Sequence, residues 1–280
     1  MNTATLRLKS LPYEDAEKIS SWLLTEGTSE EEDSTAIVAI EAATFLSVLE
    51  CTSLAHEDEE SAAAEVIDWV EDAHLIILHG DAASRRQALL ILKSLAPWAE
   101  ILSFDTLLQV DGWPLAKLAA AVARPDLELP GPPGPGRHIY LARRPFHPER
   151  LENLLMDLPH GLLRAAGYLW LAPGIDHAAE LHIRGPDMHI VDGGLWLVAA
   201  RSSGHHFDPR TQDYAATAIA GRWGDRRQEL LFVGPALDFD TLRERLDHCL
   251  LTDKEMAAGP QAWADYSDPF NFSKLCRGES

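Results

Sequence analysis

The sequence predicts two regions of different class. Residues 1–128 read as an α/β layer with parallel strands, and residues 137–280 as an α+β domain. Three observations predict this. Short apolar runs alternate with helical repeats in the first region, the pattern of parallel strands joined by right-handed crossovers. The stretch Leu129-Pro130-Gly131-Pro132-Pro133-Gly134-Pro135-Gly136 then breaks the chain. Proline removes backbone donors and glycine resists regular structure, so residues 129–136 read as a linker. Beyond it, strand patterns follow one another with two amphipathic helices among them.

In the first region Ala36-Ile37-Val38-Ala39-Ile40 and Leu75-Ile76-Ile77-Leu78 are apolar runs suited to strands buried on both faces, and Glu100-Ile101-Leu102-Ser103 is a weaker third. Glu60–Asp72 places Ala64, Ile67 and Val70 on one helical face. Ala83–Leu95 repeats Ala88, Ile91, Leu92 and Leu95, and Pro97 ends it. Further helices are predicted at Pro114–Ala123 and Tyr13–Leu24. Only about three parallel strands are legible, which leaves a sheet edge to be covered by the acidic N-terminal segment, a second copy or a protein partner.

In the second region Arg137–Arg144 alternates as a strand. Pro145-Phe146-His147-Pro148 opens a helix over Glu149–Leu158 with Leu151, Leu154, Leu155 and Leu158 inward. Leu162–Leu171, Glu180–Val191, Leu195–Ala200 and Gln228–Val233 read as strands, with Gly193-Gly194 as a hairpin turn, and Phe239–Leu250 reads as an amphipathic helix.

Composition narrows the function. The 280 residues carry 24 basic and 44 acidic side chains, a formal charge of −20. Residues 1–81 alone hold 19 acids and 3 bases, with acidic runs at Glu30–Asp33 and Glu57–Glu60. No basic face is available to neutralise phosphates, so a nucleic-acid partner is excluded. No run of eighteen apolar residues predicts a membrane span, and Met1–Leu11 has no apolar signal core. Cys51, Cys249 and Cys276 are far apart and odd in number, which argues against a disulfide framework and for the cytoplasm.

Layers of this kind often bind nucleotides through a phosphate loop, GxxxxGK[ST], whose amides, lysine and hydroxyl hold phosphate and Mg²⁺. The sequence contains no such loop. The only G-x-G spacing before residue 137 lies inside the proline stretch.

Four blocks carry a resemblance. They are Arg144-Pro145-Phe146-His147-Pro148-Glu149-Arg150-Leu151, then Gly161-Leu162-Leu163-Arg164-Ala165-Ala166-Gly167-Tyr168-Leu169-Trp170-Leu171-Ala172, then Trp223–Leu230, and finally Leu250–Met256 with Asp268-Pro269-Phe270. In this order they resemble the C-terminal domain of the CobW family of P-loop GTPase-related proteins. Upstream, Ala36–Leu46 resembles that family's "V-T-V-V-D-A-x-x-F-L" strand and turn. Asp72–Asp81 resembles its "A-D-V-I-V-L-N-K-x-D" guanine-reading strand, with His79 and Gly80 in place of Asn and Lys. Thr25–Glu30 resembles "E-S-T-G-x-S-E-P" only loosely. The phosphate loop, the first strand and the CxCC metal motif have no counterpart.

The resemblance implies a truncated, degenerate P-loop-like sheet followed by an intact CobW C-terminal-type domain. Relatives are GTP-dependent metallochaperones tied to zinc or cobalt. Phosphoryl transfer rests almost wholly on the missing groups, so the expectation is a non-catalytic protein of metal homeostasis with zinc as the candidate cofactor and neither GTP nor Mg²⁺. The alternative is a pseudo-GTPase interaction module without metal, partnering a full-length relative. A third reading has the phosphate loop supplied by another chain or lost to a misplaced start.

Twelve histidines offer candidate ligands. His205 and His206, on a Gly/Ser/Asp-rich loop with Asp208 as an oxygen donor, are the predicted metal set. Adjacent residues on a strand face opposite ways, so the pair chelates only if the loop bends. His177, His182 and His189 lie nearby in sequence. Asp225–Glu229 reads as a structural ion-pair network, with contact to a partner as the alternative; Arg164 reads as a partner of a carboxylate, with ligand binding as the alternative; Trp170, Trp196 and Trp223 read as core, and Cys249 as a buried small hydrophobe.

Overall fold

The computed structural model describes residues 5–10, 34–50, 61–103, 134–203, 216 and 219–276. Two compact units emerge. One centres on the chain before His138, with Arg184–Asp187 and Val233–Pro235; the other comprises His138–Ile183, Met188–Phe232 and the chain from Ala236. The predicted helices Tyr13–Leu24 and Pro114–Ala123, and residues 129–133 of the proline stretch, lie outside the described residues. Among the described residues no helix is long and apolar enough to cross a membrane.

The first unit holds a four-stranded sheet in the order β1-β2-β3-β4: Thr5–Ser10, Ser34–Glu41, Leu75–His79 and Glu100–Ser103. Every neighbouring pair is parallel, with Leu8 opposite Ile37, Ile77 opposite Ala39 and Ile76 opposite Ile101. The three expected strands are present. A fourth, β1, was not expected, because Leu6 and Leu8 alternate with Arg7 and Lys9 instead of forming an apolar run.

Helix α1 (Ala42–Glu50) starts immediately after β2, where the sequence suggested a turn. Helix α2 (Ala62–Asp72) is capped by Ser61, whose hydroxyl accepts from Ala64 N at 3.1 Å. Helix α3 (Ala82–Leu95) is capped by Asp81. Phe45, Ile67, Val70, Leu75, Ile76, Ile77, Leu92 and Leu95 are fully buried around β3. Each contributes about 1.5–3 kcal/mol of transfer free energy.

The second unit is built on a five-stranded sheet in the order β5-β9-β6-β7-β8. The strands are β5 (Arg137–Ala142), β6 (Arg164–Leu169), β7 (His177–Arg184), β8 (Asp187–Leu195) and β9 (Gln228–Val233). Tyr140, Ala165, Leu169, Leu181, Ile183, Leu230 and Phe232 alternate onto one face. There they meet Leu151, Leu154 and Leu155 of α4 (Pro148–Leu155) and Leu242, Leu246 and Cys249 of α6 (Phe239–Cys249). The expected two helices on one face of an α+β layer are thus observed.

Two local expectations are corrected. The run Glu180–Val191 is not one strand but turns at Gly185-Pro186 between β7 and β8, and Gly193-Gly194 is not a hairpin turn. Gly185 takes φ 55°, the positive value required at the first position of such a two-residue turn. Gly193 instead lies within β8, where an added Cβ would come 3.2 Å from Ala178 O. The run Leu195–Ala200 is not a strand: helix α5 spans Leu197–Ser203. A buried carboxylate decides this, since Asp225 Oδ2 and Oδ1 accept from Leu197 N at 2.8 Å and Val198 N at 3.0 Å.

A short 3₁₀ turn, Gly221–Trp223, leads into β9. Three short helices follow α6: α7 (Asp253–Ala258), α8 (Pro260–Trp263) and α9 (Phe272–Leu275). Trp170, Trp196 and Trp263 are buried in a satellite core, and Trp223 is half-buried beside them.

Candidate metal centre

The predicted ligands His205, His206 and Asp208 lie outside the described residues. The fold brings together another set. His177, Asp192 and Cys276 place one donor atom each so that all three lie within 4.8 Å of one another. Among the described residues no other group of three or more potential ligands comes so close.

Each donor is positioned by a different element. His177 opens β7 from a turn in which its own N–H donates to Gly174 O at 3.1 Å. That turn is clamped from below. Buried Arg226 donates from Nε to Ile175 O at 2.5 Å and from Nη2 to Asp176 Oδ1 at 2.7 Å, and Trp196 N donates to Asp176 O at 2.9 Å. Asp192 lies on β8, with Oδ1 2.9 Å and Oδ2 3.1 Å from His177 Nδ1. The same Oδ1 accepts from Gly194 N at 2.9 Å, which fixes the carboxylate. Cys276 caps the C-terminus of α9, its N–H donating to Phe272 O at 3.0 Å.

The donors are imidazole nitrogen, carboxylate oxygen and cysteine sulfur. That mixture suits a borderline divalent ion such as zinc, and three protein donors leave a position for a fourth ligand. His177 and Cys276 are half-buried and Asp192 is exposed, so an ion could enter from solvent.

Of this set the sequence drew attention to His177 as a histidine and to Cys276 only as one of three cysteines. Asp192 was not singled out. Its one legible hint is Asp192-Gly193-Gly194, since an aspartate that bonds an amide two residues on is itself held still. The other nearby histidines go elsewhere: His182 Nε2 lies 3.2 Å from Glu180 Oε1, and His189 is exposed on β8. The hydrogen bond from His182 is the main cause holding the Glu180 carboxyl below its ordinary pKa.

Asp225–Glu229 is a structural network, as expected. Beyond the roles of Asp225 and Arg226, Arg227 pairs with Glu229 in a buried ion pair. Arg164 is buried and donates to the carbonyls of Ala165 and Ile183. Burial pushes the Cys249 thiol up to about 11, and its Sγ donates to Arg150 O and Arg245 O at 3.3 Å.

The carboxyl end of the parallel sheet is where α/β layers hold ligands. Glu41 and His79 are register partners there. Glu41 turns back onto its own chain, with Oε2 accepting from Thr44 N at 2.6 Å at the start of α1. Burial raises the Glu41 pKa, but the hydrogen bonds from Thr44 and Ala43, with His79 nearby, bring it below the ordinary value. Gly80 sits at φ 116°, and a Cβ there would lie 2.7 Å from Glu41 Oε1. Asp81 Oδ1 accepts from Ala83 N at 2.8 Å and Ser84 N at 3.1 Å. Both carboxylates are therefore engaged in starting helices.

Comparison with known proteins agrees with the resemblance. Residues 137–250 match the family model of the cobalamin synthesis protein CobW C-terminal domain. "Zinc-regulated GTPase metalloprotein activator 1" of Dictyostelium discoideum is 28% identical over 248 residues, 78% of this chain and 50% of that protein. "Zinc chaperone Rv0106" of Mycobacterium tuberculosis is 35% identical over 132 residues, 47% of this chain and 33% of that protein. The chain thus spans half or less of the length of these curated relatives. The Zn(II)-bound YjiA GTPase from E. coli is a structural neighbour with 12% identity, covering 85% of this chain and 68% of that one at a TM-score of 0.35.

Proposed function

On the premise that residues 137–250 form a CobW C-terminal domain, we propose that this chain acts in metal homeostasis by holding a divalent transition metal, zinc first, without a GTPase site of its own. The single observation that carries the proposal is the convergence of His177, Asp192 and Cys276. The names of two relatives, a zinc chaperone and a zinc-regulated GTPase metalloprotein activator, support zinc as the ion. The non-catalytic half of the reading is supported by the sequence, which contains no GxxxxGK[ST]. It is also supported by Glu41 and Asp81, whose carboxylates are engaged at helix starts at the carboxyl end of the parallel sheet. The cytoplasm is the proposed compartment, in keeping with cysteines Cys249 and Cys276 that form no disulfide.

Zinc competition titration of purified chain tests the metal. Wild type is expected to bind one ion at this centre, and His177→Ala is expected to weaken it by roughly tenfold or more. Unchanged affinity in His177→Ala would remove the centre. Calorimetry with GTP and Mg²⁺ tests the other half, and Mg²⁺-dependent GTP binding by this chain alone would overturn the non-catalytic reading.

A further inference from the structure

We propose that Phe272 is the positioning residue of the metal centre. Its ring, seated against Gly174, carries Cys276 to His177 and Asp192, and metal binding latches the α9 helix in place. The inference rests on the metal-holding reading above and concerns how the centre is assembled.

The two halves of the centre are held in different ways. His177 and Asp192 belong to adjacent strands of the sheet, and the turn that enters β7 at His177 is clamped by Arg226 and Trp196. Cys276 caps a helix of four residues, too short to be stable by its own hydrogen bonds. Its place must be set by what anchors it. Phe272 is 1% exposed and part of the main core, so its ring is the tether. The entry to α9 is also fixed locally, by Asn271 at φ 52° and by Asp268, whose Oδ1 accepts from Phe272 N at 3.1 Å.

Gly174 links the tether to the histidine. Its carbonyl accepts from His177 N, so it lies in the same turn as the first donor. A Cβ at this position would sit 2.6 Å from both Cδ1 and Cε1 of Phe272. The absence of a side chain at Gly174 is what lets the ring descend onto this turn. Because Cys276 N bonds Phe272 O, seating the ring brings the cysteine along one helical turn later.

Coupling follows from mass action. An ion that meets all three donors only when α9 is docked stabilises the docked state. On coordination the Cys276 thiol gives its proton to solvent, and its sulfur becomes a metal ligand. The sulfur is then shielded from electrophiles.

The test uses the full chain and zinc alone. Iodoacetamide alkylation is followed at each cysteine by peptide mass spectrometry, with buried Cys249 as an internal control. Zinc is expected to slow alkylation of Cys276 in wild type by roughly tenfold or more. Gly174→Ala and Phe272→Leu keep all three donors, yet each is expected to weaken zinc by roughly tenfold. On a Cys276→Ser background the same substitutions should have no further effect, which a merely structural role would not produce. If both variants bind zinc like wild type while His177→Ala does not, the positioning role is overturned and the metal-holding reading stands. If wild type binds no zinc, both fall. Should Gly174→Ala fail to fold, Phe272→Leu and the wild-type alkylation rates decide.

Discussion

The side-chain amide of Gln228 reads both backbone groups of Trp170. Trp170 N donates to Gln228 Oε1 at 2.9 Å, and Gln228 Nε2 donates to Trp170 O at 2.9 Å and to Arg144 O at 2.8 Å. Gln228 is fully buried on β9, and Trp170 directly follows the neighbouring strand β6. A glutamine here completes the ladder where the backbones part. Gln228→Leu orphans the buried Trp170 N–H and takes a donor from Arg144 O, while Trp170 O keeps the Phe146 N–H at 2.8 Å; it is expected to cost about 1–3 kcal/mol. Gln228→Glu should be no better, because a carboxylate cannot donate to either carbonyl. Urea unfolding followed by tryptophan fluorescence checks both, and a wild-type midpoint for either variant would contradict the role.

Gly167 answers to a harder constraint. It takes φ 143°, and a Cβ on it would lie 2.0 Å from Glu229 O on the adjacent strand. Gly167→Ala must push β6 and β9 apart, with an expected cost of about 3 kcal/mol or more. Gly194, at φ 90° with nothing within 4 Å, is the comparison. Gly194→Ala should cost only the conformational term of about 1–2 kcal/mol. Equal thermal shifts for the two variants would refute the packing argument.

Asp225 supplies the N-terminal cap of α5 from a distant strand entry. Asp225→Ala removes acceptors for Leu197 N and Val198 N and is expected to destabilise by roughly 2 kcal/mol. Asp225→Asn retains one acceptor oxygen and should recover part of the loss. Hydrogen exchange at Leu197 and Val198 reports the effect directly, and unchanged protection in Asp225→Ala would exclude the cap.

The capping box of α7 predicts an acid dependence. Burial raises the Glu255 pKa, but hydrogen bonds from Thr252 and the Arg150 guanidinium outweigh it, so the carboxyl titrates below its ordinary value of 4.5. A depressed folded-state pKa contributes stability above the unfolded value and loses it as pH falls through the folded one. Thr252→Ala should therefore cost about 1 kcal/mol near neutrality. Its melting-temperature deficit should narrow without vanishing as the medium is acidified below that ordinary value, because only the Thr252 hydroxyl bond to the ionised carboxylate is lost, while Thr252 N still reaches Glu255 Oε2 in the variant. A difference that stays constant with pH would rule out the ionised cap.

Much of the fold was legible because its signals are local. Ile76, Ile77 and Leu78 announce a strand by apolarity alone, and Leu151, Leu154 and Leu155 announce a helix by spacing. The Gly-x-x-Trp spacing of residues 167–170 matched the family's pattern. The structure supplies its reason: Gly167 meets Glu229, and Trp170 meets Gln228. The failures occurred where a distant group overrode the local pattern. Leu195–Ala200 is apolar enough for a strand, but the Asp225 carboxylate starts a helix there. Gly193-Gly194 has turn chemistry, yet Gly193 serves close packing against Ala178.

The candidate centre shows the same division. By itself the sequence determined the class of each region, the family resemblance carried by the blocks from Arg144 to Phe270, the lack of a GxxxxGK[ST] match and the supply of ligating side chains. Only the tertiary structure decided which of those side chains meet. His177 and Asp192 are brought together by the β7–β8 hairpin, and Cys276 reaches them because a phenylalanine ring rests on a glycine in another segment. Periodicity reports which face of an element is buried, since that follows from backbone geometry over a few residues. It carries no information about which buried or half-buried groups, far apart along the chain, the packing of those faces will place within bonding distance.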